Sequence, residues 1–205
     1  VTVNPQTTVD SQSTAGQTQC LNGTFSSISV TASGTGTLSY QWYSNTSSST
    51  TGGTSLGAAN GAQTSSYTPQ AASAGTLYYY CVVTGSCGSA SSAVSGAFVV
   101  NVLPTPIFIV APGSQECQND DVVYTTQSGQ SNYVWSVPGT AGVDYSITSG
   151  GIGANNYTVT LKWLTTGNKT VTVNYDNSSG CSGMAAASST ITVNPVPSPG
   201  NITTD

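Results

Sequence analysis

The same strand ending is written three times along this chain. Val1-Thr2-Val3-Asn4-Pro5 opens it, Phe98-Val99-Val100-Asn101-Val102-Leu103-Pro104 lies in the middle, and Ile191-Thr192-Val193-Asn194-Pro195 comes near the end. Asn4, Asn101 and Asn194 stand 97 and then 93 residues apart. Self-similarity at a near-constant period marks a tandem array. Each copy reads as an alternating β-strand stopped by a proline, which cannot extend a sheet ladder. The expected organisation follows. Residues 1–5 are the last strand of a preceding repeat or its linker, 6–103 and 104–195 are two whole repeats, and 196–205 lead to the next. Domains of this length bury a modest core, which covalent staples would help.

Charge removes several function classes. The only basic residues are Lys162 and Lys169, and the net charge is −5. Neutralising a phosphate backbone takes many lysines and arginines, so nucleic acid is excluded as a partner, and anionic lipid with it. No apolar run reaches the ~20 residues of a membrane span, so direct membrane insertion is not expected. Histidine is absent, which removes the usual general base and the commonest metal ligand. Ser, Thr, Gly, Asn and Gln take the place of charge, and the alternating apolar runs among them argue for folded sheets.

The first repeat shows an immunoglobulin-like strand order. Phe25 to Ala32 suits strand B, Leu38 to Trp42 strand C, 44–57 an exposed loop, Leu77 to Val83 strand F, Gly85 to Gly88 the F–G turn and 92–102 strand G. Trp42 fits the buried tryptophan of strand C, and Tyr79, two residues before Cys81, fits a tyrosine corner. Both have inward parity; Tyr43, Tyr78 and Tyr80 have outward parity and are the candidate ligand-facing residues. In the second repeat, Asp121 to Gln127 suits B, Tyr133 to Gly139 C, Tyr157 to Trp163 E, Lys169 to Tyr175 F and Ala187 to Asn194 G. Alternation places Tyr157, Val159, Leu161 and Trp163 inside and Thr158, Thr160 and Lys162 outside. The core tryptophans expected here are Trp135 and Trp163. The fold class expected is therefore all-β: two tandem Ig-like antiparallel β-sandwiches, set end to end by the short, proline-stiffened connection Val102 to Pro106.

Cys20, Tyr40-Gln41-Trp42-Tyr43 and Tyr80-Cys81-Val82-Val83-Thr84-Gly85-Ser86-Cys87-Gly88 resemble the Ig-like repeats of large Bacteroidota surface proteins. Tyr133-Val134-Trp135-Ser136-Val137-Pro138-Gly139, with Leu161-Lys162-Trp163 and Gly180-Cys181, resembles the PKD-like repeats of the same proteins. The resemblance covers nearly the whole chain. It implies a giant adhesin exported by the type IX pathway, the group that includes gliding-motility adhesins of the SprB type. It also implies an extracellular location on the bacterial cell surface and neighbouring repeats as partners. The function expected is a stalk or spacer in surface attachment or gliding motility, not an enzyme. The alternative is a lectin-like module using the outward tyrosines on surface glycans.

The remaining candidates are cysteines and carboxylates. Cys20, Cys81, Cys87, Cys117 and Cys181 contain no C-x-x-C pair and read as disulfide chemistry in an oxidising location. The simple pairing is Cys20–Cys87 with Cys117–Cys181. Strand direction argues against it: B and F run the same way, so the start of B and the end of F lie at opposite poles, ~20–26 Å apart, against ~4.4–6.8 Å between bridged Cα atoms. Cys20–Cys181 across the junction is favoured instead, with Cys20–Cys81 as runner-up. Cys117 and Cys87 then serve neighbouring repeats and Cys81 is a buried core thiol. Glu116, Asp120 and Asp121 are weak calcium candidates, with Asp144 or Asp176 nearby; calcium wants six to eight oxygens, and no Asp-x-Asp-x-Asp spacing supplies them. No catalytic residue and no cofactor are expected.

Overall fold

A computed structural model describes residues 2–197. The chain divides into two compact units, Val1–Val102 and Leu103–Asp205. Val1 and the end of the expected linker, from residue 198 onward, lie outside the described residues.

Unit one contains β1 (Thr8–Gln12), β2 (Gln17–Cys20), β3 (Ile28–Ser33), β4 (Ser39–Asn45), β5 (Thr54–Ser55), β6 (Ser66–Tyr67), β7 (Gly75–Gly85), β8 (Gly88–Ser91) and β9 (Phe98–Asn101). One sheet runs β1-β3-β6 and the other β2-β9-β7-β4-β5, with β8 pairing β7. The first strand is thus split: β1 pairs antiparallel with β3, and β2 crosses to pair parallel with β9. The crossing needs a very close backbone approach. A Cβ on Gly16 would lie 2.4 Å from the Ala97 carbonyl oxygen, and one on Gly96 2.4 Å from the Gly16 nitrogen, so only glycine fits either place.

Unit two contains β10 (Phe108–Val110), β11 (Gln115–Cys117), β12 (Asp121–Thr126), β13 (Ser131–Ser136), β14 (Tyr145–Gly150), β15 (Thr158–Trp163), β16 (Gly167–Asp176) and β17 (Ala187–Asn194). Its sheets are β10-β12-β15-β14 and β11-β17-β16-β13. The split first strand recurs, with β11 parallel to β17. Strand alternation builds the core: Val159, Leu161 and Trp163 of β15 and Val171 and Val173 of β16 are fully buried between the sheets. Each unit is an Ig-like β-sandwich, and the chain is all-β with two of them in tandem.

The two cores are tied alike. Trp42 on β4 donates its indole N–H to the Thr64 carbonyl at 2.9 Å, and Trp135 on β13 donates to the Asn156 carbonyl at 2.7 Å. In both units the carbonyl belongs to the segment entering the strand that precedes the long central strand β7 or β16. Trp42 and Trp163 are buried, and Trp135 is 9% exposed. Truncating an aromatic residue in such a core costs about 3–5 kcal/mol.

Several boundaries differ from the sequence reading. Residues 2–7 form no strand. Phe25 is buried but precedes β3, which starts at Ile28. Residues 44–57 are not simply a loop: β4 runs to Asn45, and β5 returns to pair Ser55 with Tyr43 and Thr54 with Ser44. Strand G of unit one is not continuous over 92–102. It breaks between β8 and β9, because Ser92 and Ser95 replace ladder pairing. Ser92 donates its N–H to the Cys81 carbonyl and accepts the Cys81 N–H on its hydroxyl; Ser95 does the same for Tyr79, all at 2.8–2.9 Å. Tyr157 is 43% exposed rather than inward. It lies in the turn before β15 begins at Thr158, so the strand's alternation does not reach it.

Candidate functional site

The outward tyrosines come from adjacent strands. Tyr43 of β4 is opposite Tyr80 of β7, and Asn45 is opposite Tyr78. The Tyr43 and Tyr80 rings stack at 5.1 Å and 9°. Parity sets Tyr80 on the outer face, yet it is only 5% exposed. The chain around β5 covers it: a Cβ on Gly53 would lie 2.8 Å from both the ring and the hydroxyl of Tyr80. Asn45 holds this cover in place, donating its amide to the carbonyls of Ser49 and Thr51 at 3.0 and 2.9 Å. Tyr80 is therefore not ligand-facing, while Tyr43 and Tyr78 remain half-buried.

A cavity of about 300 Å³ opens at one end of unit one, among Phe25, Leu77, Tyr79, Phe98 and Val100, with Gln70 on its rim. Phe98 meets Phe25 and Tyr79 edge to face, with ring centroids 5.1 and 5.2 Å away. Burial, then the neighbouring Tyr67, pushes the Tyr79 hydroxyl up to about 12. The sequence reading missed this cavity. Its signal was the small-residue run Ala71-Ala72-Ser73-Ala74-Gly75, which brings little side-chain volume to the sandwich end.

The acids do not converge. Asp121 lies 3.8 Å from Lys162 and accepts the Thr148 hydroxyl at 3.1 Å. Asp144 accepts the Thr140 N–H and the Thr165 hydroxyl, which with nearby Lys169 hold its carboxyl below the ordinary range. Asp176 accepts from Ser182 and Asn132, with the same effect. Glu116 lies in β11, and Asp120 is in the exposed turn after it. Among the described residues, no three His, Cys, Asp or Glu side chains gather as a metal-holding group. No described helix is long and apolar enough to cross a membrane.

The cysteines occupy defined places. Cys20 ends β2 and Cys117 ends β11. Cys87 lies in the turn joining β7 to β8, where Gly85 pairs Gly88. Cys181 lies in the turn after β16, its N–H donating to the Asn177 side chain at 3.1 Å. Cys81 is opposite Trp42 in the core, and burial pushes its thiol up to about 11. Cys20 and Cys181 are each disulfide-bonded. Cys81, Cys87 and Cys117 are free thiols, which overturns Cys20–Cys81 as runner-up. The reason is local: Cys81 points between the sheets against the indole, whereas Cys20 ends a strand at the rim.

No family model matches the chain, and no curated protein matches it. Solved structures of multi-domain β-proteins are similar at low identity. The fibronectin(III)-like modules of Clostridium thermocellum CbhA are 19% identical, with 93% of this chain and 95% of that chain covered and a TM-score of 0.35. A tandem of titin Ig domains is 11% identical, with 95% and 99% covered and a TM-score of 0.34. SGBP-B of the Bacteroides ovatus mixed-linkage glucan utilization locus, in complex with a mixed-linkage heptasaccharide, is 14% identical, with 94% and 48% covered and a TM-score of 0.35.

Proposed function

We propose that this chain is a load-bearing spacer segment of a large bacterial cell-surface adhesin, extracellular and flanked by repeats of its own kind, of the type exported for surface attachment or gliding. One observation carries the reading: in both units a strand near the start of the unit runs parallel beside the unit's last strand. Gln17 to Cys20 pair with Phe98 to Asn101, and Gln115 to Cys117 with Thr192 to Asn194. Pulling the ends of such a unit apart loads these ladder bonds in shear, together rather than in succession. The hydrogen bonds from Leu21 to Asn101 at 2.9 Å and from Gln118 to Asn194 at 2.8 Å extend each clamp. The junction would be fastened by a disulfide between Cys20 and Cys181, enclosing the 160 residues between them.

Single-molecule pulling between the chain's ends tests this. With reductant present, two resolved high-force events are expected, one per unit. Pulling across the β7–β8 hairpin, which unzips bond by bond, should need much less force. Without reductant, the enclosed residues should give no extension, withholding roughly 50–60 nm at ~3.3–3.6 Å per residue. Featureless unfolding at low force in the end-to-end geometry would refute the spacer reading. The glycan-binding alternative has less support, because covering Tyr80 leaves only the half-buried Tyr43 and Tyr78 of the expected three tyrosines; a glycan array tests it directly.

A further inference from the structure

The cysteines of the two units occupy the same two structural places. After Cys20 and after Cys117, the next N–H donates to the asparagine carbonyl ending the last strand: Leu21 to Asn101 at 2.9 Å and Gln118 to Asn194 at 2.8 Å. The second residue is in each case an asparagine in the left-handed region, Asn22 at φ 66° and Asn119 at φ 72°. The third N–H returns to the cysteine carbonyl, Gly23 to Cys20 at 2.8 Å and Asp120 to Cys117 at 3.3 Å. Cys87 and Cys181 likewise share the turn between the long central strand and the last part of the sandwich. Cys81 has no such counterpart. Trp42 is opposite Cys81 and Trp135 opposite Val173, so an apolar valine fills that place in unit two.

The redox states are complementary. In unit one the strand-end cysteine, Cys20, is bonded and the turn cysteine, Cys87, is a half-exposed free thiol. In unit two the turn cysteine, Cys181, is bonded and the strand-end cysteine, Cys117, is an exposed free thiol. Any two neighbours taken from a head-to-tail array with one cross-link per junction would show this pattern, with inner halves joined and outer halves open. We infer that Cys117 and Cys87 are those outer halves. Cys117 takes the turn cysteine of the repeat that follows, and Cys87 takes the strand-end cysteine of the repeat that precedes. The inference rests on the tandem-spacer reading above. Formation needs a disulfide donor such as oxidised glutathione. The two protein thiols are oxidised to one disulfide, and the donor is reduced to two glutathione molecules, which receive both protons.

The cross-links would interlace, because each spans a junction and encloses the next cysteine in line. A load entering at Cys87 would leave at Cys117 after 30 residues of chain. That path carries only β8, β9, β10 and β11, so β3 to β7 and β12 to β16 would lie off the direct covalent line. The segment could extend at most ~100 Å between its staples, and unfolding of the cores would not lengthen the array further.

The test joins two copies in repeat register, residues 1–195 followed by residues 6–205, so that one Pro195 leads directly into the next copy. The second copy then supplies the following repeat, at the high effective concentration of a short linker. After refolding with reduced and oxidised glutathione, the joined chain is denatured and its free thiols are titrated. Four are expected, against six if each copy keeps the three free thiols of the single chain. Peptide mapping should link Cys117 of the first copy to Cys87 of the second. Replacing the first copy's exposed cysteine, Cys117→Ser, should raise the titre to five without changing the circular dichroism spectrum. Six free thiols with Cys20–Cys181 still linked in both copies would overturn this inference and leave the spacer reading intact. A different linked pair at the central junction would also overturn it.

Discussion

Ser92 and Ser95 should be the most sensitive surface-distant polar residues of unit one. They are 4% and 5% exposed. Each hydroxyl accepts a backbone N–H of β7, from Cys81 and Tyr79, at 2.9 Å. Each also donates to a nearby carbonyl, Ala93 and Gly96, at 2.8 Å. Ser92→Ala leaves the Cys81 N–H buried and unpaired, with no strand to supply a carbonyl. Such a stranded group costs about 1–3 kcal/mol, more than the net value of an ordinary hydrogen bond. The Ser95→Ala variant should cost the same. The double variant should depart from simple addition, because the two β7 amides are two residues apart and share one edge. Hydrogen exchange read by mass spectrometry is the assay, since unit two supplies an internal control. Exchange across residues 77–83 should rise about 5- to 150-fold per single variant, while residues 171–175 stay unchanged. A rise under twofold in Ser92→Ala would refute the claim that side chains stand in for the ladder. An equal rise in both units would show a global effect instead.

Two further outcomes follow from buried titrating and hydroxyl groups. Melting temperature should be flat from pH 6 to 8, since the chain has no histidine. It should fall on alkaline titration: Cys81 is pushed up to about 11 and Tyr79 and Tyr124 to about 12 by burial, so the unfolded chain releases these protons first. That stability is whole below their unfolded values of ~8.5–10 and is lost as pH rises towards the folded ones. Asp144 and Asp176, held low, act oppositely, and their contribution disappears only as pH falls below ~4. A sharp calorimetric shift inside pH 6–8, or none between pH 8 and 11, would contradict this. The second outcome contrasts two tyrosines in urea denaturation. Tyr133 donates to the Gln127 carbonyl at 2.7 Å and accepts the Gln130 N–H at 3.1 Å, so Tyr133→Phe should cost about 1–3 kcal/mol. The Tyr124 hydroxyl is buried without a hydrogen-bond partner, as is the Trp163 indole N–H. Tyr124→Phe should therefore change stability by under about 1 kcal/mol, and a larger loss than in Tyr133→Phe would reverse the assignment.

Long alternating strands were legible in the sequence and short polar ones were not. β12 and β15 bury every second residue against the opposite sheet, and β17 does so at Ile191 and Val193, so their apolar period is visible in the residues themselves. β1 reads Thr-Val-Asp-Ser-Gln and β2 Gln-Thr-Gln-Cys, and neither buries a residue fully. They exist because β3 and β9 offer ladder partners, which is a tertiary cause with no local pattern. The break in strand G was hidden for a related reason. Serine in a β-run reads as an outward residue, and only the two β7 amides show that Ser92 and Ser95 turn inward. Tyr80 separates parity from burial. Parity belongs to the strand, but exposure depends on whether a distant segment, here the chain around Gly53, folds over that face.

The surface chemistry follows one plan in both units. Beside the cross-strand ion pair of Asp121 with Lys162, hydroxyl pairs recur across strands: Ser11 with Thr31 at 2.7 Å, Thr84 with Ser89 at 2.8 Å, Thr125 with Thr158 at 2.8 Å and Thr170 with Thr190 at 2.9 Å. In each pair the two residues are direct cross-strand partners. Such a pair contributes about 0.2–1 kcal/mol, comparable to an exposed ion pair. Unlike an ion pair, it is not screened by salt, and it does not titrate. Stability drawn from neutral hydroxyl pairs is stability that changes of ionic strength leave alone.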